Sequence, residues 1–283
     1  MARPPTAASA APIALSPWRA ALRATPTLLR VGVAETVAYR VEFVIWMLTT
    51  TLPLIMLGLW TSVAAEAPFA RFGQREFIAY YVAALIVRNL TGSWVVWQLN
   101  EEIRRGQLSF RLLRPVHPFV TYAATHVSSV PLRSLVAIPF ALILLVTSAR
   151  DIIITDPVML LILIAALLGA WLLTFFVLIM IGSAALFMDK SVAVFDAYLG
   201  VFAVLSGYLV PLALLPGWAR AIAGWAPFRY MLAFPVELAI GFYDSRAAAL
   251  RDLALQWAWV AVVIGLALAV WRAGIRRYEA FGS

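Results

Sequence analysis

The chain contains no cysteine, only two histidines and a single lysine, Lys190. Without cysteine it has no disulfide framework, no thiol nucleophile and no Cys-ligated metal site. His117 and His126 have no third imidazole or paired carboxylate beside them, so the sequence predicts no metal centre. Lys190 precedes Ser191 but follows Asp189 rather than glycine, so no P-loop is present to hold ATP. Neither a GxSxG nor an HExxH motif occurs, and no set of catalytic residues can be assembled. The expectation is a protein that is not an enzyme and carries no cofactor of its own. Charge is scarce as well: 13% of residues are charged, against about 25% in soluble domains.

The chain is instead rich in apolar surface. Hydrophobic residues make up 64% of it and its mean hydropathy is +0.91. A soluble domain has about 45–50% apolar residues, so the composition indicates a polytopic membrane protein. The net charge of +8 fits basic residues flanking membrane spans. No soluble stretch is long enough to fold into a nucleic-acid reader, so no nucleic-acid partner is expected.

Six apolar segments stand out, over residues of about 41–64, 77–98, 124–148, 158–187, 192–212 and 253–272. Each approaches or exceeds the ~20 residues needed to cross a bilayer. Residues 1–17, rich in Ala, Pro and Ser, read as a disordered cytoplasmic tail rather than a secretory signal. Residues 18–36, with Arg19, Arg23 and Arg30, read as an interfacial amphipathic helix. Thr25-Pro26 predicts a break there, with Thr25 as N-cap and Pro26 at the first helical position. A transmembrane domain then occupies 37–283.

Residues 206–246 have a different texture. They are too apolar for a free loop and too interrupted by glycine and proline for one span. Such backbone fits short re-entrant helices packed against protein, with aromatic residues at headgroup level. Arg and Lys concentrate in segments that an inside N-terminus places in the cytoplasm, including Arg104, Arg105, Arg111, Arg114, Arg272, Arg276 and Arg277. Both termini are therefore predicted to be cytoplasmic. The expected fold is all-α: six transmembrane helices, with re-entrant helices between the fifth and sixth.

The polar stretch 100–118 cannot lie in hydrocarbon. Glu101 and Glu102, then Arg104 and Arg105, fit a short helix ending near Gly106. Gln107, Leu108, Phe110, Leu112 and Leu113 follow, before Arg114, Pro115 and Pro118. The leucines and Phe110 offer an apolar surface for a partner's groove. A solvated loop that only fixes topology fits the same residues.

Arg88-Asn89 falls near the middle of the second span, where a charge costs about 2.5–3.5 kcal/mol on insertion scales. Arg88 must face protein or water, and by depth Glu237 is its expected partner. Its role is either in a substrate path or dimer seam, or in capping re-entrant carbonyls. Trp94 and Trp97 read as interfacial anchors, Pro53 and Pro139 as kinks, and Gly182-Ser183 as a point of close helix packing.

The run Glu102-Ile103-Arg104-Arg105-Gly106-Gln107-Leu108, then Leu112-Leu113-Arg114-Pro115-Val116, resembles the cytoplasmic loop of ABC-2-type transporter permeases, in particular a bacterial six-span branch. Ser206-Gly207, Pro211-Leu212, Leu215-Pro216-Gly217-Trp218, Ala226-Pro227-Phe228-Arg229-Tyr230, Pro235 and Gly241 follow that branch's order. So does the ending Gly274-Ile275-Arg276-Arg277-Tyr278-Glu279-Ala280-Phe281-Gly282. The resemblance implies a permease subunit of an exporter in the bacterial inner membrane, moving a hydrophobic or amphipathic substrate. It implies dimerisation with a second copy or a homologous permease, and docking on a cytoplasmic ATP-binding subunit that holds ATP and Mg. Residues 100–115 would be the coupling helix, with Glu101, Glu102, Arg104, Arg105, Gly106, Gln107, Leu108, Leu112, Leu113, Arg114 and Pro115 as the coupling residues. Arg88, Asn89, Gly207, Pro211, Pro216, Pro227, Phe228 and Glu237 are the candidates for the translocation path or re-entrant gate. A gradient-driven transporter or channel working alone is the rival reading. It calls for intramembrane acids, of which the sequence offers almost none.

Overall fold

The computed structural model describes residues 17–38, 52–69, 71–148, 156–188 and 191–278. The predicted tail up to residue 16, the start of the first span at 41–51, Asp189-Lys190 and the last five residues lie outside them. Among the described residues the fold is helical, with one isolated antiparallel bridge between Phe69 and Phe72.

Helix α1 (Pro17–Ala38) runs unbroken through Pro26, contrary to the predicted break. Pro26 cannot donate to the Leu22 carbonyl. The Thr25 hydroxyl donates instead to the Ala21 carbonyl at 2.8 Å, so Thr25 is not an N-cap. Packing of α1 against α6 (Pro118–Ser128) holds the helix together. The first span is seen as α2 (Leu52–Ala64).

The predicted second span is two helices. Helix α3 (Gln74–Thr91) stops at Gly92, and α4 (Val95–Arg104) begins three residues on. Hydropathy hides the break because apolar residues continue through Val95, Val96 and Leu99. Helix α5 (Leu108–Leu112) follows as a single turn. The predicted third span also divides, into α6 and α7 (Val130–Ser148), with Pro139 inside a continuous α7. Helix α8 (Pro157–Ser183) extends through a 3₁₀ turn to Leu186, close to the fourth prediction. Helix α9 (Ser191–Leu205) ends seven residues before the predicted boundary at 212. Short helices α10 (Gly217–Trp225), α11 (Pro227–Met231) and α12 (Ala233–Ala239) occupy the stretch 206–246, predicted to be re-entrant. Helix α13 (Arg246–Ile275) starts seven residues before the prediction.

Among the described residues, two helices, Pro157–Leu186 and Arg246–Ile275, are long and apolar enough to cross a membrane, and α2 and α9 are shorter apolar helices. At 1.5 Å per residue the long pair spans about 45 Å each. In α13 only 22% of the most apolar window is buried, so most of that surface needs lipid or another apolar surface over it.

Helix α8 is the central strut, packing against α13, α4, α11 and α12. It runs parallel to α13. Arg246 Nε donates to Asp156 Oδ2 at 2.6 Å, and Gln256 Nε2 donates to the Ala166 carbonyl at 2.9 Å, a separation of 90 residues in both cases. The same Gln256 nitrogen donates to the Tyr230 carbonyl, tying α11 to this pair. At the other end α4 crosses α8 at Gly182, where a Cβ would meet Leu99 at 3.1 Å, so the predicted close packing point is real. Contacts of Trp60 with Phe77 and of Arg133 with Gly92 run α2 and α7 antiparallel to α3. The bundle therefore has two ends: an α10 end, holding the first turns of α3, α8 and α13, and an α5 end, holding the last turns of α4, α8 and α13.

Candidate functional site

The α5 end is built around Glu102, in the last turn of α4. The residue is 8% exposed, and its carboxylate accepts hydrogen bonds from Arg111 Nε at 2.8 Å, from Arg111 Nη2 and from the Tyr122 hydroxyl. Arg111 also donates to Thr121 Oγ1 at 3.0 Å, and its guanidinium lies 4.5 Å from the centre of the Tyr122 ring. One carboxylate thus joins α4, α5 and α6. Gly106 makes the connecting turn with φ +71°, the left-handed region in which glycine carries no Cβ penalty. Leu108 is fully buried beneath the turn, and Ser109 Oγ lies 3.3 Å from the Tyr278 hydroxyl beyond α13.

The outer side of this platform is different. Phe110 is 72% and Leu113 83% exposed, with Leu112 at their side. Glu101, Arg104, Arg105, Gln107, Arg114 and Pro115 surround them at the surface. Glu101 pairs with Arg105 one helical turn away, an exposed pair contributing about 0.3–0.5 kcal/mol. The predicted coupling residues therefore divide. Glu102 and Leu108 face the interior and cannot meet a partner, whereas Phe110, Leu113 and the basic residues can. His117 caps α6, its Nδ1 accepting from the Phe119 amide at 3.2 Å. Partial burial, with the nearby Arg272 charge, holds the His117 pKa below its usual value and keeps that acceptor available.

The α10 end carries a second polar knot, missed in the sequence. Arg229 contacts Glu237 at 3.1 Å, Asp252 at 3.0 Å and the Tyr243 hydroxyl at 3.1 Å. Tyr243 donates to Asp252 at 2.7 Å. The knot fastens α11 and α12 to α13. Asp252, 3% exposed, lies one residue before the predicted sixth span, so nothing in the hydropathy pattern marked it as interior.

Glu237 is therefore not the partner of Arg88. Arg88 lies over the Phe202 ring at 4.9 Å and the Tyr208 ring at 5.7 Å. Asn89 is buried and donates to the Leu85 carbonyl within its own helix. Trp94 is half-buried: its ring meets His126 edge-on with centres 4.3 Å apart, and it carries Arg133 on its face at 4.5 Å. Trp97 is 40% exposed and meets Phe195 edge-on.

Gly207 makes the turn after α9 with φ +84°, and a Cβ there would lie 2.3 Å from the Tyr80 hydroxyl. Tyr80 donates to the Gly207 carbonyl at 2.8 Å, while Tyr81 and Trp60 both donate to the Leu209 carbonyl. Carbonyls freed by the unwound backbone are thus satisfied by side chains of α2 and α3. Pro211 caps the 3₁₀ turn Leu212–Leu214, Pro216 caps α10, and Pro227 opens α11, beside Phe228, which packs against Tyr198.

Two comparisons bear on this arrangement. Residues 42–282 match the family described as ABC-2 family transporter protein. No curated protein matches the chain.

Proposed function

This chain belongs to the ABC-2 family of transporter proteins, and from that premise we propose that it is the membrane-spanning permease subunit of an ATP-binding cassette exporter. In this reading it crosses the bacterial cytoplasmic membrane six times, with both termini and the α5 end in the cytoplasm. A second permease, identical or homologous, completes the pathway. A separate ATP-binding subunit holds ATP and Mg and performs the hydrolysis, so the chain itself is not an enzyme. The cargo is hydrophobic or amphipathic and moves outward.

The two-sided α5 platform carries the proposal. A coupling element must present an apolar surface outward and be fixed rigidly inward. Phe110 and Leu113 supply the first, and the Glu102–Arg111–Tyr122 clamp supplies the second. A push on α5 reaches α4 through the clamp and α8 through the contact at Gly182. The ATP-binding subunit then biases a distant gate through one bistable bundle. The gradient-driven rival calls for unpaired interior acids. Glu102, Glu237 and Asp252 are each paired with an arginine.

Affinity purification of the chain from its native membrane tests this. An ATP-binding cassette subunit is expected to copurify. Phe110→Asp combined with Leu113→Asp is expected to reduce its recovery at least about tenfold, since an interface anchor is worth roughly 2 kcal/mol. Transport by the chain alone in nucleotide-free vesicles would overturn the proposal.

A further inference from the structure

The interior charges of the two ends are matched. Glu102 meets Arg111, and Glu237 and Asp252 meet Arg229, with Arg251 alongside. Apart from these two knots stand Arg88, in the last turn of α3, and Arg133, near the start of α7. Among the described residues neither forms an ion pair. Arg133 is compensated by carbonyls: it donates to Asn89 and Gly92 at the C-terminal end of α3, where the helix dipole is negative.

Arg88 is only partly compensated. It is half-buried over the ring faces of Phe202 and Tyr208, with the Tyr208 side chain as its one neutral hydrogen-bond partner; its Nε is buried without a partner, and among the described residues no carboxylate pairs with it. Next along this aromatic shelf the Tyr198 hydroxyl is also buried without a partner, 5.7 Å separating the Tyr198 and Phe202 rings. The guanidinium Nε–H is a donor and the Tyr198 hydroxyl can donate as well, so an anionic acceptor set between them would satisfy both. A charge-assisted bond from a guanidinium to carboxylate or phosphate is among the strongest hydrogen bonds available. The low dielectric between apolar helices strengthens it further. Ring faces at the site suit an apolar body beside the charged group.

We propose that Arg88, on the shelf of Tyr198, Phe202 and Tyr208, binds the anionic headgroup of the transported molecule, which is an amphipath with a carboxylate or phosphate on an apolar body. This rests on the permease reading and assigns its substrate class.

The test is equilibrium binding to the purified full chain in maltoside micelles, followed by tryptophan fluorescence. The probes are dodecyl phosphate, dodecyltrimethylammonium and inorganic phosphate. Dodecyl phosphate is expected to bind at least about tenfold more tightly than either of the others. Arg88→Gln is expected to remove that preference and Arg88→Lys to retain part of it. Equal binding of the cationic amphipath overturns the anionic assignment, and equal binding of inorganic phosphate overturns the amphipathic one. Full preference in a folded Arg88→Gln protein overturns the site. If Arg88→Gln does not fold, the selectivity of the native chain and of Arg88→Lys decides. None of these results depends on an ATP-binding subunit, so failure here leaves the permease reading to its own test.

Discussion

Single side chains decide how the α5 platform is held. Glu102 receives Arg111 and Tyr122 in a setting almost closed to water. Removing one partner of a buried pair leaves the other charge uncompensated, at a cost of about 3–5 kcal/mol. Glu102→Ala is therefore expected to lower the thermal unfolding midpoint in micelles by on the order of 10 °C. An unchanged midpoint would mean that the clamp carries no stability. The sequence showed that charges gather here, but not which ones pair. Glu102 and Arg111 lie nine residues apart, outside the one-turn spacing that marks helical pairs. Arg88 was legible for a related reason: an intramembrane charge stands out in any apolar run. Its surroundings were not, because Phe202 and Tyr208 reach it only through the tertiary fold.

At the level of elements, apolar length was readable and interruption was not. Helices α8 and α13 announce themselves by long apolar runs bounded by Asp156-Pro157 and by arginines. The breaks at Gly92 and Ser129 leave hydropathy unchanged and so divided two predicted spans unseen. Pro26 erred in the other direction, since tertiary packing carries α1 through it. The interruption over 206–246 was legible as a texture, and prolines cap its short helices. Its anchorage to Tyr80, Tyr81 and Trp60 comes from distant sequence. That anchorage makes the turn after α9 vulnerable. Gly207→Ala places a Cβ against the Tyr80 hydroxyl in a left-handed backbone, which alone costs about 1–2 kcal/mol. The expected result is faster amide exchange across 206–209 and a lower midpoint. Native-like protection there would show that the turn is not locked by this contact.

Across the whole molecule, α3, α8 and α13 run in one direction and α2, α7 and α9 in the other. That alternation sets the α5 platform and the α10 helices at opposite ends of one bundle. The proposed mechanism needs those ends on opposite sides of the membrane, with α5 where ATP is. The absence of cysteine makes this directly measurable, since a single introduced thiol is the only reactive one. Arg114→Cys and Arg220→Cys both replace exposed side chains, one beside α5 and one on α10. With a membrane-impermeant maleimide on spheroplasts, the thiol at position 220 is predicted to label at once and the thiol at 114 only after lysis. Labelling at position 114 in intact spheroplasts would place the platform outside and contradict the account.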